Sequence, residues 1–341
     1  MTAAAAAGSG PALEVTGLDV RYGPVHAVRD ASLTVQAGQV VALIGETGSG
    51  KSSLALAAAR LLPPAAAVTG RVAIAGTVVS ELGGSEFRRT RARLVGCIAQ
   101  DAMAALNPVV PVGRQVGELF AVHRGASRAE AAQAAVAALA AVEITSPAAV
   151  ARLYPHQLSG GMRQRVMIAM AVALAPPLIV ADEPTTALDV STQAEILALI
   201  GDLRTRMRAG FLWITHDMGV VAELADWAAV MYAGRIVEQG PVQEIFDAPA
   251  HPYTEGLLAT RRDLRSGPAG TPLFQIPGSP AAPGEVGAGC AFAPRCARAS
   301  PVCASDDPAL DPLGGGPDGL HLAACHHPAA SPGAAVRAVP R

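Results

Sequence analysis

The stretch GETGSGKS, residues 45–52, contains residue types that can bind a chain of phosphates. It fits the pattern G-x-x-x-x-G-K-S/T and lies between an apolar run and a helix-favouring segment. Glycines let backbone amides approach phosphate oxygens, and a helix N-terminus adds partial positive charge. An ordinary glycine-rich turn is the alternative, but the flanking strand and helix favour a phosphate site. The predicted site comprises Gly45, Glu46, Thr47, Gly48, Ser49, Gly50, Lys51, Ser52 and Ser53.

Within this loop two side chains have predicted roles of their own. Lys51 is expected to reach the β and γ phosphates of a nucleotide, and Ser52 is expected to hold Mg²⁺.

Two adjacent carboxylates follow a second apolar run in LIVADEP, residues 178–184. The run predicts a buried strand that ends at Asp182, with Glu183 directly after it. Asp182 suits Mg²⁺ bound through water, and Glu183 is placed to polarise an attacking water. Two solvated carboxylates at a strand end are the alternative, which the phosphate loop disfavours. The two motifs together predict hydrolysis of a nucleoside triphosphate.

The stretch LSGGMRQR, residues 158–165, narrows the class of protein. A serine and paired glycines at a helix start suit a phosphate, and the stretch resembles the signature motif of ATP-binding cassette (ABC) proteins. The resemblance implies that it completes the ATP site of an opposite subunit. Asp189, in TTALD, matches the loop that crosses the same dimer interface. The residues implied to act in trans are Ser159, Gly160, Gly161 and Asp189.

Other marks of the ABC family occur in the same order along residues 13 to about 240. Tyr22 matches the aromatic residue that stacks on adenine, and His216, in ITHD, matches the histidine that contacts the γ-phosphate. Gln100, in CIAQD, matches the glutamine that senses Mg²⁺ and the membrane partner. The resemblance implies ATP and Mg²⁺ as cofactors and an active ATPase. Its implied catalytic residues are Glu183, His216, Lys51 and Gln100, and its implied Mg²⁺ ligands are Ser52, Gln100 and Asp182.

Strands and helices alternate along the chain, which predicts an α/β protein with a parallel sheet. Strands are expected at 13–20, 31–35, 39–45, 177–182 and 210–217, helices at 51–62 and 192–207, and a helical insertion at 103–175. The resemblance implies a P-loop NTPase fold with a RecA-like core, an antiparallel β subdomain, a helical subdomain and a small Cys-rich C-terminal extension. The expected divisions are a disordered lead at 1–12, the nucleotide-binding domain at 13–262, the extension at 263–328 and a disordered tail at 329–341.

Composition argues against a membrane-spanning chain and against a protein that binds nucleic acid through its overall charge. Hydrophobic residues make up 51% of the chain and the mean hydropathy is +0.34, but no apolar run reaches the roughly 20 residues of a membrane span. The start lacks the features of a signal peptide, which predicts a cytoplasmic chain. Lys and Arg number 26 against 28 Asp and Glu, so no basic excess favours nucleic acid. Membrane association is therefore expected to come from protein partners.

Three further stretches resemble the ATPase subunits of dipeptide and oligopeptide importers, at residues 99–116, 154–161 and 240–258. The last contains HPYT, His251 to Thr254, which opens a C-terminal extension in that family. The resemblance implies a peripheral subunit at the cytoplasmic side of the membrane. Its implied partners are two permease subunits, a second and nonidentical ATPase subunit, and an extracytoplasmic peptide-binding protein. An importer of nickel or another small solute, and a soluble ABC ATPase acting on ribosomes or DNA, are the alternatives.

Four of the five cysteines lie near the C-terminus, with the spacing C-x5-C-x6-C-x21-C. They argue for a shared ligand, and the absence of an export signal argues against disulfides. The spacing lacks the C-x2-C pairs of structural zinc sites and does not choose between iron and zinc. Resemblance to the peptide importers implies a 4Fe-4S cluster, with zinc or no metal as alternatives. The extension has little periodic apolar sequence, which favours a structural role for such a site over redox sensing. The candidate ligands are Cys290, Cys296, Cys303 and Cys325, with His321, His326 and His327 as substitutes.

The fifth cysteine, Cys97, precedes Gln100 in a short strand-like segment. It is predicted to be a small core residue.

Overall fold

Apolar runs that are buried on both faces form the central strands. The computed structural model describes residues 10–186, 188–266, 274–281, 286–313 and 320–329. The predicted disordered lead and tail fall mostly outside these residues. The strands are β1 Leu13–Tyr22, β2 Val25–Val35, β3 Val40–Ile44, β4 Ala66–Ile74, β5 Thr77–Val78, β6 Val95–Ile98, β7 Leu178–Asp182, β8 Gly210–Thr215, β9 Trp227–Tyr232, β10 Arg235–Pro241, β11 Asp311–Pro312 and β12 Leu322–Ala323.

Helices occupy much of the remainder of the described chain. They are α1 Lys51–Ala58, α2 Gly84–Leu94, α3 Ala102–Ala105, α4 Val112–Arg124, α5 Arg128–Ala141, α6 Pro147–Val150, α7 Gly160–Val172, α8 Val190–Met207, α9 Met218–Leu224, α10 Val242–Asp247, α11 Pro252–Ser266 and α12 Pro301–Ser305. Short 3-10 turns lie at Val79–Glu81, Pro155–Gln157 and Ala293–Arg295. Among the described residues, no helix combines the length and apolar character that crossing a bilayer requires.

The residues group into two compact units. The first comprises Met1–Val15, Thr34–Val40 and Arg71–Ile214, and the second comprises Thr16–Leu33, Val41–Gly70 and Thr215–Arg341.

In the first unit, β6, β7 and β8 lie side by side and parallel, as the apolar runs predict. All six residues of β8 are buried, which explains why its sequence is a continuous apolar run without alternation. Residues 103–175 of this unit contain helices and no strand, and α5 begins with a capping box between Ser127 and Glu130. The sheet thus brings the carboxyl end of β7, where Asp182 lies, next to that of β8.

In the second unit, β3 pairs in parallel with β9, and β9 pairs antiparallel with β10. Ala233 and Gly234 connect β9 to β10 with φ values of 44° and 87°, as a two-residue hairpin turn requires. The sequence reasoning did not predict this hairpin. β12 adds to β10 with Glu238 opposite Ala323, so the C-terminal extension completes the edge of this sheet.

Three local predictions were wrong. The helix expected at 51–62 ends at Ala58, because Arg60 adopts a left-handed conformation and Leu61 N–H closes the helix on the Leu56 carbonyl. The strand expected to reach residue 217 ends at Thr215, whose hydroxyl accepts a hydrogen bond from Asp217 N–H before α9 begins.

The third concerns Cys97, which is exposed rather than buried. Successive side chains of a strand point to opposite faces, and its neighbour Gly96 packs against α7. Cys97 therefore points away from the helix.

Candidate functional site

The phosphate loop follows β3 in the second unit and ends at the N-terminus of α1. Gly50, the residue before α1, has φ 104°, and a Cβ there would lie 2.4 Å from the Ala27 carbonyl oxygen. Gly234 N–H donates to the Ser49 carbonyl at 2.9 Å, which ties the loop to the β9–β10 turn. Glycine is therefore required at position 50, both by the backbone conformation and by the close packing.

Lys51 lies at the centre of this loop and is 6% exposed. Its Nζ donates to the carbonyl oxygens of Gly45 and Glu46, both at 2.8 Å, and approaches Ser49 Oγ at 3.3 Å. It is also the only lysine in the sequence, since every other basic side chain apart from histidine is arginine. A single compact cation is thus held where a phosphate chain would need it.

Glu46 is held from outside the loop by two residues. Its carboxylate accepts two hydrogen bonds from Arg295, from Nη1 at 2.7 Å and from Nη2 at 3.2 Å. Its backbone N–H donates to the Tyr253 hydroxyl at 2.7 Å. The loop is therefore fastened to the C-terminal part of the second unit.

An aromatic cluster supports this contact. Tyr253 is fully buried, and its ring centroid lies 4.7 Å from that of Tyr232 and 5.4 Å from that of Phe292. Burial raises the pKa of the Tyr253 phenol above its ordinary value, so the hydroxyl stays neutral. Phe292 belongs to the cysteine segment, so the extension packs into the core of the unit.

Two other predicted site residues of the second unit, Tyr22 and His216, are less buried than Lys51. Tyr22 is half-buried at the end of β1, and its hydroxyl lies 3.5 Å from Ser53 Oγ beside the phosphate loop. His216 is exposed in the turn between β8 and α9. The structure thus brings Tyr22 to the phosphate loop.

In the first unit, the predicted catalytic carboxylate and the loop glutamine meet. Gln100 Nε2 lies 3.4 Å from Glu183 Oε2, and the Thr186 hydroxyl donates to the same oxygen at 3.2 Å. Glu183 has φ 45°, a strained conformation for a side chain of this kind, and its N–H donates to the Ile214 carbonyl at 3.0 Å. Strained backbone at a strand end is typical of functional sites. Asp182 precedes it as the last residue of β7.

The predicted signature stretch forms the start of α7, also in the first unit. Ser159 caps the helix, and its Oγ accepts a hydrogen bond from Met162 N–H at 3.2 Å. Ser159 and Gly160 are exposed, so the helix N-terminus is open to a ligand.

Asp189 caps the next helix, α8. Hydrogen bonds from the Ser191 hydroxyl and from the Thr192 N–H and hydroxyl lower the pKa of this carboxyl. It is exposed and stays charged at neutral pH.

The C-terminal cysteines line one small cavity in the second unit. Arg298 N–H approaches Cys296 Sγ at 3.3 Å, and His327 N–H approaches Cys325 Sγ at 3.4 Å. These contacts place backbone donors on two of the sulfur atoms. The cavity is lined by Cys290, Cys296, Cys303 and Cys325 together with His251, Phe292, His326 and His327.

The thiols are close enough to influence one another. Burial raises the pKa of Cys325 to about 11, and the charges of Cys290, Cys296 and Cys303 contribute to the rise. Within the described ranges, however, no three His, Cys, Asp or Glu side chains have the arrangement that could hold a metal ion. The four thiols share one cavity, but the described residues show no arrangement that could hold the predicted metal.

The sequence motifs did not indicate three residues that organise the second unit, namely Arg295, Tyr253 and Glu238. Arg295 and Tyr253 contact the phosphate loop, and Glu238, fully buried, accepts hydrogen bonds from His251 N–H and His321 Nε2. The available signals were an arginine directly before a cysteine and the tyrosine of HPYT. Neither signal indicates its partner, because the partner is remote in sequence.

A phosphate loop before a helix, a parallel sheet with a strained glutamate at a strand end, and an open Ser-Gly-Gly helix start define a nucleotide-binding cassette. The pattern described as ABC transporter matches residues 28–186, and that described as oligopeptide/dipeptide transporter, C-terminal region, matches residues 237–303.

The similar curated proteins include "Probable peptide ABC transporter ATP-binding protein y4tR" of Sinorhizobium fredii, which is 44% identical over 90% of this chain and 94% of its own length. The oligopeptide transport ATP-binding protein OppD of Salmonella typhimurium is 41% identical over 93% of each chain. The OppD protein of Mycobacterium tuberculosis is 46% identical over 88% of this chain, which spans 50% of that longer protein.

The solved structures agree on the fold. A dimeric post-hydrolysis state of the ATP-binding cassette MJ0796 with ADP and Pi has a TM-score of 0.59 and 27% identity, and covers 67% of this chain and 98% of its own. The structure of cbiO1 from Clostridium perfringens has a TM-score of 0.61 and 26% identity, over 75% and 95% respectively. The chain belongs to the ABC transporter ATP-binding family, and within it to the peptide-transporter group with the C-terminal region. It is an ATPase, and the P-loop cassette fold predicted from the sequence motifs is confirmed.

Proposed function

We propose that this chain hydrolyses ATP to drive the import of dipeptides or oligopeptides through a membrane permease. The observation that carries the proposal is the joint match of a cassette at residues 28–186 and a peptide-transporter C-terminal region at 237–303. Nickel importers and soluble ribosome- or DNA-directed ATPases remain the alternatives. They are disfavoured because the relatives described above are named for peptide transport.

We propose the following division of labour at the ATP site. Lys51 and the loop amides hold the phosphates, Tyr22 stacks on adenine, and His216 contacts the γ-phosphate. Glu183 polarises the attacking water, and its contacts with Gln100 and Thr186 support a fixed carboxylate orientation. Mg²⁺ is assigned to Ser52, Gln100 and Asp182. The ATP bound by the second subunit is completed in trans by four residues of this chain, Ser159, Gly160, Gly161 and Asp189.

We propose as partners two permease subunits, a second ATPase subunit that is a nonidentical paralogue, and an extracytoplasmic peptide-binding protein. The chain would then lie peripherally at the cytoplasmic side of the membrane. We propose that the chain comprises a nucleotide-binding domain at 13–262, with a helical subdomain at about 103–175, and an extension at 263–328.

Transport is tested by deleting the gene in its native cells and measuring the uptake of labelled tripeptides and of nickel. The deletion is expected to abolish peptide uptake and to leave nickel uptake normal. Expression of the wild-type chain should restore peptide uptake. The tagged chain should also co-purify with integral membrane subunits from detergent extracts. Recovery with RNA or DNA that is lost on raising salt would instead favour the soluble alternative.

We further propose that the four cysteines hold a 4Fe-4S cluster. Four thiols on one cavity match its usual ligand set, and each thiolate binds a different iron, so they need not converge on one ion. The two backbone N–H groups near Cys296 and Cys325 suit charged sulfur acceptors.

His251 supports the same donor set. Its Nδ1 accepts a hydrogen bond from Tyr253 N–H at 3.0 Å, so in the neutral ring the proton lies on Nε2. Nε2 is buried, has no hydrogen-bond partner among the described residues, and belongs to a side chain that lines the cysteine cavity. A buried N–H without an acceptor is costly, and sulfur atoms in the cavity would satisfy it. His251 is thus a hydrogen-bond donor to sulfur rather than a ligand.

Protein purified without oxygen is expected to be brown, to absorb near about 400 nm, and to contain about four irons per chain. Metal analysis and visible absorption measure this directly. Substituting Cys296 and Cys303 with serine should remove the iron, whereas serine at Cys97 should retain it. A colourless protein with stoichiometric zinc would contradict the proposal.

A further inference from the structure

The loop that is assigned to phosphate also carries a carboxylate. Glu46 is its second residue, and the side chain is 26% exposed. A negative charge within an anion-binding loop weakens anion binding, because like charges repel over such short distances. The loop therefore needs a positive partner for Glu46.

Arg295 supplies that partner from the cysteine-bearing extension. Its side chain is only 4% exposed, and two parallel hydrogen bonds join its guanidinium to the Glu46 carboxylate. A two-bond fork between planar groups fixes orientation as well as charge. Arg295 Nε also donates to the Pro277 carbonyl at 2.8 Å, so the guanidinium is held on its other side.

The backbone of Glu46 is held by Tyr253 of α11, a residue that packs on the extension. The Tyr253 hydroxyl accepts its N–H, and the Tyr253 ring packs on Phe292. Phe292 and Arg295 both lie in the short segment between Cys290 and Cys296. The order of the cysteine segment is thus transmitted to both the side chain and the backbone of Glu46.

We propose that Arg295 is a positioning residue of the ATP site, which acts through Glu46 and makes tight ATP binding depend on a folded cysteine-bearing extension. This rests on the proposed role of residues 45–53 in binding ATP. When the extension is ordered, Glu46 is neutralised and the loop is fastened at its second residue. When the extension is disordered, an unpaired carboxylate is left in the loop and ATP affinity falls.

The test measures ATP affinity by equilibrium dialysis and steady-state turnover for the full chain with Mg²⁺. Arg295→Gln is expected to weaken ATP binding about tenfold, the size of one unfavourable charge at short range. Turnover at saturating ATP should change by less than about threefold, because Arg295 touches no group assigned to the reaction. Adding Glu46→Gln to Arg295→Gln should restore most of the affinity, because the unpaired charge is then removed.

Arg298→Gln is the matched control. Arg298 lies three residues after Arg295, just beyond Cys296, and forms its own two-bond pair with Glu255, at 2.7 and 2.8 Å, so the substitution changes the same charge. Its ATP affinity should stay within about twofold of the wild type, because this partly exposed pair does not include Glu46.

Wild-type affinity in a folded Arg295→Gln variant would overturn the proposal, and so would a double variant that binds no more tightly than Arg295→Gln alone.

If Arg295→Gln does not fold, Tyr253→Phe decides the question, because it removes only the oxygen that accepts Glu46 N–H. It should weaken ATP binding at least about threefold, by the usual worth of one hydrogen bond, and unchanged affinity would contradict the proposal. A wild-type chain that binds no ATP would overturn the assigned role of the loop as well.

Discussion

Replacing Glu183 with glutamine is expected to lower ATP turnover about a thousandfold while ATP still binds with near-normal affinity. Loss of a general base costs between about a hundredfold and ten-thousandfold in rate. Glutamine has the same shape, so contacts like those of Glu183 with Gln100 and Thr186 can persist and the strained turn is kept. Turnover by phosphate release and affinity by equilibrium dialysis give the two values separately.

The matched control is Glu195→Gln. Glu195 is another carboxylate of the first unit, and its exposed side chain pairs with the largely buried Arg165 at 3.1 Å. The turnover of Glu195→Gln should remain within about twofold of the wild type, since Arg165 keeps a second carboxylate partner in Glu143 at 3.0 Å. The Glu183 variant should also accumulate as an ATP-bound dimer in size-exclusion chromatography. Normal turnover by Glu183→Gln would show that another group activates the water.

Replacing Lys51 with methionine is expected to weaken ATP binding by at least about a hundredfold, equivalent to about 3 kcal/mol. Lys51 is buried against the carbonyl oxygens of Gly45 and Glu46, so methionine removes the charge and leaves those acceptors without their donor. Lys51→Arg should not restore affinity, because a planar guanidinium cannot replace a compact ammonium in this space. Equilibrium dialysis with labelled ATP measures both variants.

Arg71→Met is the control for loss of a cation, because Arg71 pairs with Glu14 on the surface. Unchanged ATP affinity in Lys51→Met would contradict the assignment.

Much of the fold followed from local pattern. Continuous apolar runs indicated β3, β7 and β8, and alternation of strands and helices indicated the parallel sheet. These predictions succeeded because a strand that is buried on both faces has a continuous run of apolar residues, which a few adjacent positions are enough to show. The end of α1 at Ala58 was not predictable in the same way, since it depends on one left-handed residue, Arg60. The exposure of Cys97 depended on which face of β6 the helix α7 covers.

The sequence by itself determined the chemistry of the phosphate loop, the carboxylate pair and the capped signature helix. Each of these is a contiguous motif whose residue order sets its geometry. Only the tertiary structure decided that Glu46 pairs with Arg295, 249 positions away, and that His251, whose Nε2 has no hydrogen-bond partner among the described residues, lines one cavity with four cysteines. A pairing of that kind has no local signature, because it exists only after the extension has packed on the aromatic cluster of Tyr232, Tyr253 and Phe292.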